Sequence, residues 1–110
     1  MKGSLLSLLI LSVSVAGTWA VSCYVCVGLL SQSFNTWCID PFDSTNTNAI
    51  ASIQTCNGTC VESSVRIDGD LVGQTRECSN VSLPNCLNDC VTYLTITACQ
   101  HCCTTDLCNV

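Results

Sequence analysis

Two adjacent cysteines near the end of the chain, Cys102 and Cys103, constrain what this sequence can fold into. Neighbouring cysteines bond to each other only under strain, so their sulfurs are expected to reach two different partners and to join two parts of the chain at one point. The sequence has 12 cysteines in 110 residues, all between Cys23 and Cys108. This even number at such a density predicts a disulfide framework, which forms in an oxidising compartment.

The first 20 residues have the pattern of a secretory signal peptide. Lys2 supplies a positive charge, residues 5–16 form an apolar run, and Ala20 is a small residue at the expected cleavage position. We therefore predict a signal peptide at 1–20, a single domain at 21–110 and a secreted, extracellular product. An N-terminal membrane anchor is the weaker alternative, because a spanning helix needs about 20 apolar residues.

The charge of residues 21–110 excludes two classes of partner. Two arginines stand against eight aspartates and glutamates, a formal charge of −6. Such an acidic chain gains nothing from phosphate groups or anionic lipid, so neither nucleic-acid binding nor direct lipid insertion is expected. A domain of this size also has a modest core and usually needs covalent cross-links.

Residues 61–79 have the pattern of a β-hairpin. Apolar or small side chains at 61, 63, 65 and 67 alternate with polar ones. Gly69, which tolerates a positive φ, lies between Asp68 and Asp70 and is the midpoint of Cys60 and Cys78. The pattern therefore predicts a hairpin with its turn at Gly69.

Residues 91–97 are rich in β-branched and aromatic side chains and predict a second hairpin arm or pair. Residues 43–48 are polar and show no strand pattern, which predicts a loop. No segment of the mature chain has apolar residues at helical spacing, so we expect an all-β domain of short hairpins.

Several cysteine motifs occur together: Cys23-Tyr24-Val25-Cys26, Cys56 with Cys60, Cys78, and Cys102-Cys103 followed by Cys108-Asn109. In combination they resemble the three-finger domain of the lymphocyte-antigen-6 and urokinase-receptor family. Cys38-Ile39-Asp40-Pro41-Phe42 and Cys56-Asn57-Gly58-Thr59-Cys60 are similar to the invertebrate quiver (sleepless) branch. The resemblance implies a small, disulfide-rich, snake-toxin-like domain of antiparallel hairpins.

The resemblance also implies a pairing for most of the cysteines. It gives four bonds: Cys23 with Cys60, Cys26 with Cys38, Cys56 with Cys78, and Cys103 with Cys108. A fifth would join Cys102 to a cysteine that opens the third finger, which leaves Cys86, Cys90 and Cys99 competing for two bonds.

Midpoints favour a nested arrangement in the third finger, because cross-strand partners in one hairpin share a midpoint. Cys86 with Cys102 centres on 94, and Cys90 with Cys99 centres on 94.5. A bulge or uneven loop would absorb the half-residue difference. The offset alternative, Cys86 with Cys99 and Cys90 with Cys102, remains open.

The sequence gives little support for an enzyme or a metal site. His101 is the only histidine, and no serine or threonine stands in a recognisable arrangement with a base and an orienting group. The paired carboxylates Asp40 with Asp43 and Asp68 with Asp70 are expected to be solvated turn formers. Secreted thiols oxidise, so the crowded cysteines near His101 predict disulfides, with neither metal nor cofactor.

Two sequons permit N-glycosylation in the secretory pathway, at Asn57 and Asn80. We favour Asn80, because Asn57 is crowded between Cys56 and Cys60. No apolar tail that could be exchanged for a glycolipid anchor follows the last cysteine, so we expect a soluble product unless the chain is incomplete.

The resemblance implies a protein that modulates a membrane receptor or ion channel, such as a nicotinic acetylcholine receptor or a potassium channel, by protein–protein binding. Arginine and tyrosine are favoured anchors at such interfaces. The residues expected to make contact are two finger tips: Arg66, Ile67, Asp68, Asp70 and Leu71, and Tyr93 and Leu94. The alternatives are an extracellular decoy or inhibitor, for a phospholipase or a growth factor, and a structural or host-defence protein. Acidic tips lower the expectation of direct agonist-site blockade.

Overall fold

The computed structural model describes residues 20–80 and 86–110. In that part of the chain it has seven strands and two short helices: β1 (Val21–Tyr24), β2 (Cys26–Leu29), a 3-10 helix (Thr36–Cys38), α1 (Thr47–Ala51), β3 (Ile53–Cys56), β4 (Thr59–Ile67), β5 (Asp70–Ser79), β6 (Asp89–Tyr93) and β7 (Ile96–Cys103). This confirms a small, disulfide-rich, all-β domain. The predicted signal peptide lies outside the described residues apart from Ala20.

The strands form two antiparallel sheets that carry three loops. β1 pairs with β3, and the long first loop between them contains β2, the 3-10 helix and α1. The larger sheet has the order β2-β5-β4-β7-β6. β4 and β5 form the second hairpin, β6 and β7 form the third, and β2 extends from the first loop to pair with β5. The three fingers therefore share one sheet.

Six disulfides join the 12 cysteines, all of which lie in the described part of the chain: Cys23–Cys60, Cys26–Cys38, Cys56–Cys78, Cys86–Cys102, Cys90–Cys99 and Cys103–Cys108. Cys23, Cys56 and Cys60 are fully buried and form the centre of the core. Val21 and the half-cystines Cys78, Cys103 and Cys108 pack around them. The core is thus a hub of sulfurs at the base of the fingers, where apolar side chains are few.

The third hairpin has the nested arrangement and not the offset one. Cys90 lies directly opposite Cys99 in the register of β6 and β7. Cys86 precedes β6 and bonds to Cys102 near the end of β7. The intervening Asn88 has a φ of 48°, and its Oδ1 accepts a hydrogen bond from the Cys102 N–H at 3.4 Å. An irregular segment therefore absorbs the half-residue offset between the two cystines.

The end of the chain is fixed to the core through Asn109, which is 2% exposed. Its Oδ1 accepts from the Tyr24 N–H at 3.0 Å, and its Nδ2 donates to the Tyr24 carbonyl at 2.9 Å and to the Val61 carbonyl at 3.2 Å. The side-chain amide thus replaces a strand partner for β1. This gives a physical reason for an asparagine next to the last cysteine.

The polar segment 43–48 does not form a loop throughout, because α1 begins at Thr47. The Asn46 side chain caps this helix by accepting from the Asn48 N–H at 2.8 Å. Only Ala49 of the helix is buried. Five residues with one buried position are too few to produce a helical periodicity in the sequence, which is why the helix was not predicted.

The two faces of the larger sheet differ in what covers them. On one face, here called the covered face, Ile39 of the first loop packs against Gly28 so closely that a Cβ on that glycine would lie 2.5 Å from the Ile39 Cγ1. The other face, here called the open face, carries apolar side chains that lie beside one another across the paired strands. They are Val27, Leu29, Val65, Ile67, Val91, Tyr93, Ile96 and Ala98.

Candidate protein-interaction site

The tip of the second hairpin is a two-residue turn at Asp68 and Gly69. Their φ values are 53° and 84°, the left-handed conformation that such turns require and that Asp and Gly tolerate best. The register slips by one residue between Val65 and Arg66, which moves the turn slightly off the midpoint of Cys60 and Cys78. The sequence-based prediction of a turn at Gly69 is confirmed.

The tip of the third hairpin presents two large side chains to solvent. Tyr93 is 75% exposed and Leu94 is 81% exposed. Leu94 has a φ of 55°, which is unusual for a bulky residue and costs about 1–2 kcal/mol. A leucine here gains almost no burial that would offset the cost. Its side chain is therefore a candidate for contact with another molecule.

The second and third tips form one surface. The Asp68 N–H donates to the Thr95 carbonyl at 2.9 Å, joining the two turns. Ile67 lies opposite Ile96 in one strand pair, and Ile96 lies opposite Tyr93 in the next. These three side chains form a row at the end of the open face and, with Leu94, an apolar tip cluster.

The structure separates the predicted contact residues into two groups. Ile67, Asp70 and Tyr93 share the end row of the open face. Arg66 lies opposite Leu71 on the covered face, and its Nη1 donates to the Gly69 carbonyl at 3.4 Å. A partner that meets Tyr93 from the open side would therefore reach Ile67 and Asp70 but would meet Arg66 only around the edge of the tip.

A buried arginine at the base of the fingers was not identified as a site residue from the sequence. Arg76 is 1% exposed. Its guanidinium donates to the carbonyl of Cys38, to the carbonyl of Asn109 at 2.8 Å and to Asp40 Oδ1 at 2.9 Å. It also lies 4.1 Å from the centre of the Phe42 ring. One cation thus joins the first loop, the second hairpin and the chain end.

The electrostatics of Arg76 follow from this position. Burial lowers the pKa of its guanidinium from the ordinary value, and the Asp40 carboxylate opposes that shift. The Asp40 side chain is 55% exposed, as expected of a solvated carboxylate, but it is also the ion-pair partner of Arg76, which the sequence did not predict. Asp40 also receives a hydrogen bond from Gln74 Nε2 at 3.0 Å and therefore fixes the first loop to the sheet. No periodic pattern could reveal this long-range pair.

Asp43, by contrast, is the turn former that its sequence context predicts. Its Oδ1 accepts from the Thr45 hydroxyl at 2.6 Å and from the Thr45 N–H at 3.1 Å. The hydrogen bond from the hydroxyl is the main reason that the pKa of the Asp43 carboxyl lies below its ordinary value.

The two sequons differ in their surroundings. Asn57 is exposed between Cys56 and Cys60, but Thr59 of that sequon is buried in β4. Asn80 is exposed at the end of β5, and the rest of its sequon lies outside the described residues. Glycosylation at Asn80 in preference to Asn57 stays a prediction.

His101 is exposed on β7 opposite Glu62. Within residues 20–80 and 86–110, no three His, Cys, Asp or Glu side chains are grouped closely enough to hold a metal ion. The described part of the chain also contains no helix with the length and apolar character needed to cross a membrane.

In comparisons with protein-family models, with curated proteins and with solved structures, none matches this chain. The class that the structure itself defines is a three-finger β domain built on a disulfide hub. Its most distinctive surface is the apolar tip cluster of Ile67, Tyr93, Leu94 and Ile96.

Proposed function

We propose that this protein is a secreted member of the lymphocyte-antigen-6 and urokinase-receptor family, similar to its quiver branch, and that it modulates a membrane receptor or ion channel. Binding is through protein–protein contacts of the second and third finger tips, and the proposal involves no catalytic step. Six disulfides support the extracellular part of the proposal, because such bonds persist in oxidising compartments.

One observation carries the proposal: Leu94 is 81% exposed and has a left-handed backbone. Strained residues of this kind persist where the surrounding structure holds them, and they cluster at ligand clamps and switch regions. Tyr93 beside it is an amphipathic aromatic residue, a type enriched among the residues that contribute most to binding energy. Side chains held at a rigid tip also lose little conformational entropy on binding.

The charges around the tip suggest what kind of site the partner offers. Asp68 and Asp70 are exposed beside the apolar cluster, and Arg66 is oriented toward the other face. A tip with this excess of negative charge is poorly suited to replace a cationic agonist, because the pocket for such an agonist is lined by groups that attract positive charge. These charges agree better with binding to the side of a receptor or channel, or with modulation of its assembly.

The test is saturable binding of the protein, secreted from cells that express the full sequence, to neural and epidermal membranes. We expect the double variant Tyr93→Ser/Leu94→Ala to lower affinity at least about 30-fold, because it removes two tip anchors. Arg66→Glu, on the covered side of the tip, is expected to have a smaller effect.

Ile50→Ser is the matched control, because Ile50 is 55% exposed on α1 and lies outside the tips. It should bind as the wild type does. Absence of saturable binding to any membrane protein would favour a structural or host-defence role. Binding to a soluble phospholipase or growth factor, with none to membranes, would favour the decoy or inhibitor function.

A further inference from the structure

The open face of the sheet carries exposed apolar side chains well below the tips. Val27 is 47% exposed, Val65 is 39% exposed and Val91 is 55% exposed. They lie on three different strands, one at each edge of the sheet and one at its centre. A shallow groove of about 320 Å³ runs along this face between Val27, Leu29 and Val65. Contiguous apolar surface of this kind commonly marks an interaction site.

The described chain covers the opposite face instead. The first loop crosses that side, where Ile39 packs on Gly28 and the Asp40 N–H donates to Gln74 Oε1 at 2.8 Å. Gln74 and Arg76 on that side are buried, whereas Val65 and Val91 on the open side are exposed. The first loop therefore packs on the covered face at β2 and β5, whereas the open face is accessible at Val27, Val65 and Val91.

The open face is also uniformly acidic in the part of the chain that the structure describes. The register places Asp70 opposite Ile67, Glu77 opposite Val61, and Asp89 opposite Gln100, so all three carboxylates project on this side. Each of them is exposed. No described cation shares the face.

The two arginines of the described chain lie elsewhere. Arg66 projects from the covered side at the tip, and Arg76 is buried and paired with Asp40. The open face therefore combines apolar surface with uncompensated negative charge.

We propose that the open face binds a protein segment whose apolar side chains are flanked on both sides by lysine or arginine. Asp70 and Glu77 lie near opposite ends of β5, about 23 Å apart by strand geometry, with the groove between them. Cations at both ends of an apolar segment would meet these carboxylates while its centre occupies the groove. Electrostatic complementarity of this kind selects partners and speeds their association.

A second copy of this chain is a poorer occupant. Two open faces brought together would place acidic rims against each other, and like charges at an interface are unfavourable. The groove lies between Val27 and Val65, away from Tyr93 and Leu94, so the proposed contact does not require that these tip residues bind a receptor. Asp70 belongs to the end row at the tips and would serve both contacts, whereas Glu77 lies outside the tips.

The test uses a fluorescent synthetic peptide with alternating valine and threonine at its centre and two lysines at each end. Its affinity for the protein secreted from the full sequence is measured by fluorescence anisotropy. We expect saturable binding that weakens at least about threefold between about 0.05 and 0.5 M salt, because exposed charges are screened. A peptide with glutamates in place of the lysines is expected not to bind.

Two variants locate the site. Val27→Thr/Val65→Thr keeps β-branched residues on two strands that line the groove and should lower peptide affinity about tenfold through lost apolar contact. Asp70→Asn/Glu77→Gln should lower it about threefold and flatten the salt dependence. The controls, Ile50→Thr and Asp68→Asn, change an exposed β-branched apolar residue and an exposed aspartate off the groove and should leave affinity unchanged.

Three outcomes would overturn the proposal: equal binding of the lysine and glutamate peptides, unchanged affinity in the valine and carboxylate variants, or sedimentation that shows the open face occupied by a second copy. Far-UV circular dichroism and free-thiol titration of each variant confirm that the fold is retained. Peptide binding in a Tyr93→Ser/Leu94→Ala background would separate this site from the tips, so failure of the receptor proposal leaves this one standing.

Discussion

Arg76 is the residue on which the base of the fingers depends. Two backbone carbonyls, a carboxylate and an aromatic ring surround its guanidinium. Such a buried group is costly to leave unpaired, and the same holds for the carbonyls that it satisfies. The arginine therefore connects the first loop to the chain end more specifically than apolar packing would.

We predict that Arg76→Met destabilises the domain by about 2–4 kcal/mol, because the carbonyls of Cys38 and Asn109 lose their donor in a buried site. Urea unfolding with the disulfides intact measures this. Arg66→Met is the control, since Arg66 is exposed, and should change stability by less than about 0.5 kcal/mol. Equal stabilities of the two variants would contradict the role given to Arg76.

Replacing Leu94 by glycine is expected to raise the stability of the protein and to weaken its binding to membranes. Leu94→Gly should stabilise the protein by about 0.5–1 kcal/mol, because glycine adopts the observed φ of 55° without a steric cost, offset in part by its extra freedom when unfolded. Leu94→Ala removes the same side chain and keeps the backbone cost, so its stability should stay near wild type.

The prediction is tested by measuring the thermal unfolding and the membrane binding of both Leu94 variants. Both variants are expected to bind more weakly than the wild type. If Leu94→Gly were no more stable than Leu94→Ala, the conformational cost assigned to this leucine would be wrong.

Asp43 gives a prediction for pH dependence. Thr45→Val removes the hydroxyl that chiefly lowers the pKa of the Asp43 carboxyl, so that pKa should rise toward its ordinary value. With a lowered folded pKa, this group contributes stability above its unfolded pKa, and the contribution is lost as the pH falls through the folded pKa. An NMR titration of the Asp43 carboxyl carbon measures the shift. If the pKa of Asp43 did not rise in the Thr45→Val variant, the Thr45 hydroxyl would not be the main cause of the lowered value.

At the scale of elements, the start of β4 depends on the short link from β3. Gly58 lies against the backbone of Ser79 at the end of β5, and an added Cβ would collide with the Ser79 carbonyl oxygen. Backbone cannot rotate away as a flexible side chain can, so this close approach fixes how the first and second fingers meet near the Cys56–Cys78 bond.

Gly58→Ala should therefore destabilise the domain by about 1–3 kcal/mol in chemical denaturation. Gly73→Ala is the matched control on β5. An added Cβ there would lie 3.2 Å from the Leu29 Cδ2, a side-chain atom that can move, and alanine suits a strand better than glycine does. A control that lost as much stability as Gly58→Ala would show that the backbone contact is not the cause.

At the scale of the whole molecule, the disulfide hub determines which parts of the chain can be exposed and still be ordered. Each bond removes conformational freedom from the unfolded chain, typically about 2–4 kcal/mol, although such terms do not simply add. This allows a sheet with one largely open face and tips that carry exposed apolar residues. A domain of this size without the bonds would have to bury those side chains.

Peptide mapping of the unreduced protein is expected to recover Cys90 linked to Cys99, and Cys86 linked to Cys102. The register of the third hairpin places Cys90 and Cys99 directly opposite each other, and the irregular segment at Asn88 brings Cys86 to Cys102. Recovery of Cys90 linked to Cys102 would refute this pairing. Labelling of most sulfurs by an alkylating reagent before reduction would refute the hub itself.

The sequence by itself determined the class of fold and the position of the second tip. An even set of clustered cysteines requires cross-links, alternation at residues 61–67 requires a strand, and Asp68-Gly69 permits the turn. These are local properties of composition and spacing, so they can be recognised before any contact is known.

Only the tertiary structure decided which residues act together. The sequence did not identify Arg76, which is buried against Asp40 and Asn109, more than 30 positions away on either side. The separation of Arg66 from Tyr93, and the open face that joins Val27 to Val91, likewise depend on strand order and register. Strand pairing between distant segments is selected by the energy of the whole packed sheet, which no local pattern encodes.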